Sequence, residues 1–249
     1  MVDPITETTT AVMHPTRDGF TETCWMRVRL AAAEDGSVAA RQALEALCQR
    51  YWPSIYSFLR RKGHRPAEAE DLTQGFFGSV LEAKAFARAD PEHGRFRNFL
   101  LGALTRFLVD EARHHRAQKR GGGQAVLSLD FQGVEERYQQ EADPGLTAEQ
   151  AYDRRWAATV LEEAFGQIEL EFREAGQGAR FDHLKQFLSA PAGEGDYEAL
   201  GTALDITPNA VAVAVRRLRE RYRELVGRKV KATVTNPADL DEELSELFR

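Results

Sequence analysis

Residues 196–222 read "DYEALGTALDITPNAVAVAVRRLRERY", and this stretch has the grammar of a helix-turn-helix. A short first helix gives way to the turn "DIT". Thr207 offers its hydroxyl as N-cap, and Pro208 takes the first helical position, where an N–H would go unused anyway. On the second helix Val211, Val215, Leu218, Tyr222 and Leu225 recur at alternating steps of four and three, so they form one stripe for burial. The opposite face carries Asn209, Val213, Arg216 and Glu220, flanked by Ala212, Arg217 and Arg223. In such a unit the first turns of the second helix meet base edges, and arginines farther along meet phosphate. An amphipathic helix with a solvated arginine face has the same pattern, so the stretch alone leaves both readings open.

The charge around it is sorted along the chain. The 249 residues sum to a net charge of −6, which argues against a chain that coats nucleic acid indiscriminately. Yet Arg216, Arg217, Arg219, Arg221, Arg223, Arg228, Lys229 and Lys231 face only Glu220 and Glu224. Beyond them lies an acidic end with Asp239, Asp241, Glu242, Glu243 and Glu246. Basic islands in an acidic chain suit local contact with phosphate, and the acidic remainder suits protein partners. Two cysteines, Cys24 and Cys48, make neither a disulfide framework nor a metal quartet. The first twenty residues have no apolar core of a signal peptide, and no apolar run approaches the roughly 20 residues of a membrane helix. The expectation is a cytoplasmic protein with no membrane contact.

Upstream, almost every periodic stretch has the helical period. Helices are expected near 25–33, over 38–62 with a bend at Pro53, over 66–86, and over 94–120. Gly63 is placed to end the second of these. In the last, Phe96, Phe99, Leu100, Ala103, Leu104, Phe107 and Leu108 share one face. Further helices are expected over 148–175 with Thr147 as cap, and over 180–189, 196–204 and 208–225. The expected architecture is all-α: a mobile tail over 1–21, a helical bundle over 22–118, a flexible acidic linker over 119–147, a helix-turn-helix domain over 148–227, and a helical C-terminal extension over 228–249.

The stretch "AEDLTQGFFGSVLEA", followed by "GRFRNFLLGALTRFLVDEARHHRAQKR", resembles the second domain of bacterial RNA polymerase sigma factors of the extracytoplasmic-function type. The helix-turn-helix then looks like the fourth sigma domain, in the family's order. "TRDGF", "YWPSIYSFLRRKGH" and the acidic "LDEELSELF" resemble a subgroup with an extended C-terminal tail. The resemblance implies a non-enzymatic factor without cofactors. Such a factor docks on the clamp and flap regions of core RNA polymerase, recognises a two-part promoter and helps open the duplex.

Carried over position by position, Glu70, Asp71, Thr73, Gln74 and Phe77 match the helix that grips the polymerase clamp. Carboxylates suit a basic partner there, and Phe77 supplies apolar area unless it belongs to the core. Arg95, Arg97, Phe99 and Arg106 fall in the stretch facing the melted upstream element, where unstacked bases need aromatic and guanidinium planes. Phe99 also lies on the apolar stripe, which favours packing. Arg113, His114, His115, Arg116, Lys119 and Arg120 form a basic end for phosphates. In the fourth domain Thr207, Asn209, Ala212, Val213, Arg216, Arg217 and Arg221 make the set for the minus-thirty-five element. Apolar Ala212 and Val213 suit thymine methyls, so a T-containing element is expected.

Three departures stand out. Gly75 replaces a usual carboxylate on the clamp helix, Arg106 stands where Asn is more usual, and Ala210, Ala212 and Ala214 replace threonine and basic residues. Control by an anti-sigma factor fits the family, as does a serine/threonine kinase. Phosphate on Thr73, beside the missing carboxylate, would restore negative charge, although an unmodified surface threonine is the simpler expectation. The rival class is a helix-turn-helix regulator or interaction module that never engages polymerase. An enzyme is disfavoured: His64, His93, His114 and His115 have no ligand spacing with Asp110 or Glu111, and Gly121–Gly123 lack the lysine of a phosphate loop. The segment "GVEERYQQEAD" reads as a nucleic-acid mimic or a disordered spacer, and the acidic end as a packed tail, a cover for the basic helix or a partner site.

Overall fold

Each long apolar stripe finds a partner helix. The computed structural model describes Val28, Leu30, residues 37–82, 95–117 and 133–233, and Ser245, with backbone alone at 81–82 and 114–117. Among the described residues the helices are α1 (Val38–Arg61), α2 (Pro66–Glu82), α3 (Phe96–Ala117), α4 (Val134–Glu141), α5 (Ala148–Glu174), α6 (Gly178–Leu184), α7 (Gln186–Ser189), α8 (Asp196–Leu204) and α9 (Pro208–Lys231). No strand occurs among them. The all-α expectation holds.

Local chemistry sets the ends. Ser37 caps α1 by accepting from the Ala40 N–H at 3.1 Å. α1 then runs unbroken through Pro53. At its far end Gly63 adopts φ 96°, and the His64 and Gly63 N–H groups reach back to the carbonyls of Leu59 and Arg60. That geometry satisfies two orphan carbonyls and needs a residue at ease with positive φ. Thr147 and Gln150 cap α5 reciprocally, each side chain accepting from the other's backbone N–H.

The core is one continuous body. Leu47, Tyr51, Ile55, Phe58 and Leu59 of α1 meet Phe76, Phe77 and Val80 of α2 and Phe96, Leu100 and Leu104 of α3. The same cluster continues through Tyr152, Trp156, Val160 and Ile168 of α5 into Val211, Val215, Leu218, Leu225, Val226 and Val230 of α9. Each large apolar side chain so buried contributes about 1.5–3 kcal/mol. Val28 joins the core from the expected first helix.

Two sequence expectations change. Residues 134–141 of the expected linker form a helix, because Glu135 finds the buried Tyr56 hydroxyl and the half-buried Arg60 guanidinium on α1, partners that local periodicity does not show. α9 extends to Lys231, since Val226 and Val230 continue its buried stripe and Gly227 keeps negative φ. The first residues assigned to a C-terminal extension therefore belong to α9. Lys119, Arg120 and most of the acidic end lie outside the described residues.

Candidate nucleic-acid interface

α8 and α9 form with a tight turn between them, where the sequence places them. Asp205 takes the left-handed conformation at φ 53°, and the Ile206 N–H donates to the Gly201 carbonyl at 2.9 Å. A Cβ on Gly201 would sit 2.7 Å from the Ile206 carbonyl oxygen, so only glycine lets the turn fold this tightly onto α8. Thr207 Oγ1 then accepts from the Ala210 N–H at 3.2 Å and starts α9.

From there the two faces of α9 separate. Val211, Val215, Leu218 and Leu225 are buried, and half-buried Tyr222 donates its hydroxyl to the Leu161 carbonyl at 3.1 Å. The other side leaves Asn209, Arg216 and Arg217 exposed, Val213 43% exposed and Ala212 half-buried. Arg216 leans on Glu220 at 2.9 Å while remaining open to solvent. The structure thus brings Thr207, Asn209, Ala212, Val213, Arg216 and Arg217 onto one accessible surface.

Arg221 does not belong to that surface. Its guanidinium holds both carboxylate oxygens of Glu171 on α5, at 2.9 and 2.7 Å, and also reaches Glu224 at 3.0 Å. The expectation of a DNA contact there is corrected, because its donors are committed within the fold. Its hydrogen bonds to Glu171 push the guanidinium above its usual range. The same contact draws the Glu171 carboxyl below its own. Arg219, a residue the sequence left unassigned, is likewise structural, donating to the carbonyls of Phe187 at 2.7 Å and Ala190 at 2.9 Å.

On α2, Asp71 is exposed and Glu70 and Gln74 are half-buried, so this part of the clamp-matching set is available. Phe77 is 1% exposed and packs on Phe76 at 5.4 Å, which makes it core and corrects the exposed alternative. Thr73 is fully buried, and its hydroxyl donates to the Ala69 carbonyl at 2.7 Å. A phosphoacceptor must be reachable, so the expectation of Thr73 as a modified surface residue is corrected.

On α3, Arg106 and Arg113 are exposed, Arg113 pairing with Asp110 at 3.3 Å, and Arg95 is half-buried. Phe99 is half-buried and stacked on Phe96 with centroids 5.9 Å apart, in line with packing. Arg116 lies on α3, and nothing is described of its side chain. Arg97 is the correction here. It is 5% exposed, bonded to Asp153 at 3.1 Å, and lies 4.6 Å over the Trp156 ring, so α5 rather than DNA occupies it.

A polar cluster that the sequence did not announce ties α4 to α1. Glu135 accepts from the Tyr56 hydroxyl at 2.7 Å and from two Arg60 nitrogens at 2.8 and 2.7 Å. Burial pushes the Glu135 carboxyl up, but these donors more than offset it and leave it below the glutamate range. Tyr56 is pushed above its usual range, first by burial and then by that carboxylate. Cys48, buried and beside Glu45, is pushed up to about 12 and is an inert thiol. Among the described residues no group of His, Cys, Asp and Glu is arranged to hold a metal ion, and no helix is long and apolar enough to cross a membrane.

Residues 47–118 match the family model Sigma-70 region 2. That stretch is similar to the second region of sigma-70 factors. It comprises most of α1 with all of α2 and α3, the helices that carry Glu70, Asp71, Gln74, Arg106 and Arg113. Region 2 supports a sigma factor of the sigma-70 family, acting in RNA polymerase binding and promoter melting, which is a non-enzymatic role in initiation. No curated protein and no solved structure matches the chain.

Proposed function

We propose that the chain is an alternative sigma factor of the extracytoplasmic-function type, working in the cytoplasm beside core polymerase. The observation that carries this reading is the succession of a region 2 over 47–118 and a helix-turn-helix on α8 and α9 with an open reading face. In it, Glu70, Asp71 and Gln74 of α2 meet the polymerase clamp. Arg95, Arg106 and Arg113 of α3, with Arg116, Lys119 and Arg120, approach the melted upstream element. Asn209, Val213, Arg216 and Arg217 read the minus-thirty-five element, Ala212 and Val213 against thymine methyls and the arginines on phosphate.

Run-off transcription with purified core polymerase on genomic fragments, with start sites mapped, tests the whole reading. Defined starts preceded by a shared two-part element are expected. A chain that binds duplex DNA yet never associates with core polymerase is a helix-turn-helix regulator instead.

A further inference from the structure

A cleft opens where α1, the end of α4, the turn over 142–146 and the start of α5 meet. Its volume is about 110 Å³, and its floor is formed by Ser57 and Arg155, each 4% exposed. Tyr138, Leu146 and Ala151 give it apolar walls, while exposed Asp143 and Arg154 stand at its mouth. The hollow is somewhat smaller than the roughly 150 Å³ cavity that takes up a benzene molecule whole. It therefore suits one ring or a short branched chain whose polar head stays at the mouth. None of its lining residues belongs to the polymerase or DNA surfaces.

The charge of the lining decides what such a head must be. Three arginines stand against two carboxylates, and both carboxylates are already engaged. Glu141 accepts from Arg155 at 2.6 Å, and Asp143 accepts from the Gly145 N–H at 2.9 Å. Donors are left over. Arg61 gives its Nε to the Leu146 carbonyl and one terminal nitrogen to the Pro144 carbonyl, which leaves the other terminal nitrogen for a further acceptor. Arg154 has a loose contact with Asp143 at 3.7 Å. Arg155 is held by Glu141 and Glu162, yet its Nε is buried without a hydrogen-bond partner among the described residues. A buried donor without an acceptor costs free energy, so a ligand that brings acceptors is favoured here. Surplus guanidinium donors beside apolar walls select a carboxylate carried on an apolar body.

We infer that this cleft is a binding site for a small organic acid. Arg154 and Arg61 take the carboxylate, and Tyr138, Leu146 and Ala151 take an apolar body about the size of one ring. Arg61 links the site to the fold, because it belongs to α1 and also holds the turn through the Pro144 and Leu146 carbonyls. An acid shared between Arg61 and Arg154 thereby braces α1, the turn and the start of α5 against one another. Binding of the acid is independent of the sigma-factor reading, since the free chain carries the whole site.

The test is calorimetric titration of the full chain with sodium benzoate at neutral pH, beside benzamide, which has the same shape without the charge. Wild type should bind benzoate saturably at one site, and benzamide at least tenfold more weakly. Arg154→Ala, a change at an exposed side chain, should weaken benzoate at least tenfold while leaving the melting temperature of the free chain unchanged. Ala151→Phe, which fills the cleft, should abolish binding, and Arg180→Ala, an exposed arginine far along the chain on α6, should bind as wild type does. In wild type, saturating benzoate should also raise hydrogen-exchange protection over 142–146. No saturable binding, equal affinity for benzamide, affinity that survives Arg154→Ala, or unchanged protection of the turn would each overturn the site. Run-off transcription stands apart: benzoate binding without initiation removes the sigma reading alone, and initiation without benzoate binding removes the acid site alone.

Discussion

Arg221 and Glu171 face each other across 50 residues of sequence in a two-pronged contact of 2.7 and 2.9 Å that fastens α9 to α5. It fixes the azimuth of α9, because Tyr222, the next residue, is anchored to the same α5 through the Leu161 carbonyl. Both side chains keep over a third of their surface in water, so the pair is worth about 0.5–1 kcal/mol. Arg221→Ala should lower the melting temperature by roughly 2–4 °C and weaken promoter binding only through that loss. A large affinity loss at unchanged stability would return Arg221 to the DNA surface.

The same pair, with Glu135, sets an acid limit. Glu171 and Glu135 have folded pKa values below the ordinary glutamate value of 4.5. Their contribution is therefore complete above about 4.5 and drains away as pH falls through the lower folded values. Denaturation followed from pH 7 downward should show stability falling once pH passes below about 4.5. A Glu135→Gln, Glu171→Gln protein should show a shallower fall over that range. Identical slopes would mean that other carboxylates carry the acid sensitivity.

Gly201 tests the turn. A methyl at this position would meet a backbone oxygen at 2.7 Å, and backbone does not swing aside as a side chain does. Gly201→Ala should cost about 2 kcal/mol and loosen α8 against α9, read as lost exchange protection of the Ile206 amide. An unperturbed melting curve would show that the turn has room the geometry denies it.

Thr73 separates a packing role from a signalling one. Thr73→Val keeps the shape and removes only the hydroxyl bonded to the Ala69 carbonyl, so it should change stability by about 1 kcal/mol or less. Thr73→Glu places a carboxylate in a fully buried position and should cost 3 kcal/mol or more, roughly a 10 °C loss. If Thr73→Glu folds normally and binds core polymerase more tightly, the position is a charge switch after all.

What was legible in the sequence was local. The Thr207 and Thr147 caps, the Gly63 stop and the Val211–Val215–Leu218–Leu225 stripe each depend on neighbours within a few residues, and each stands where spacing put it. The misassigned residues depend on partners far away. Arg97 meets Asp153 at a separation of 56 residues, and the Glu135 that orders α4 meets Arg60 across 75. An arginine on a basic helix reads as free until the carboxylate opposite it is known, and periodicity carries no such pairing. Phe77 and Thr73 failed for another reason. The apolar face of α2 is wider than its strongest period suggests, since α1 and α3 flank it on two sides.

The open face of α9 divides labour between two kinds of side chain. Val213 is a β-branched apolar group, 43% exposed in the first turns, with nothing to offer a phosphate. Arg217, one turn later, is exposed and has no carboxylate partner among the described residues. Val213→Ser should therefore change preference at one base step, by about 1–3 kcal/mol between the favoured and disfavoured base, while leaving non-specific affinity alone. Arg217→Ala should weaken binding alike on every sequence and lower the salt slope by about one. Both are read from equilibrium titrations of the two variants against a panel of duplexes differing at single positions, at three salt concentrations. Losses that are uniform for both variants, with the same salt slope, would refute the division.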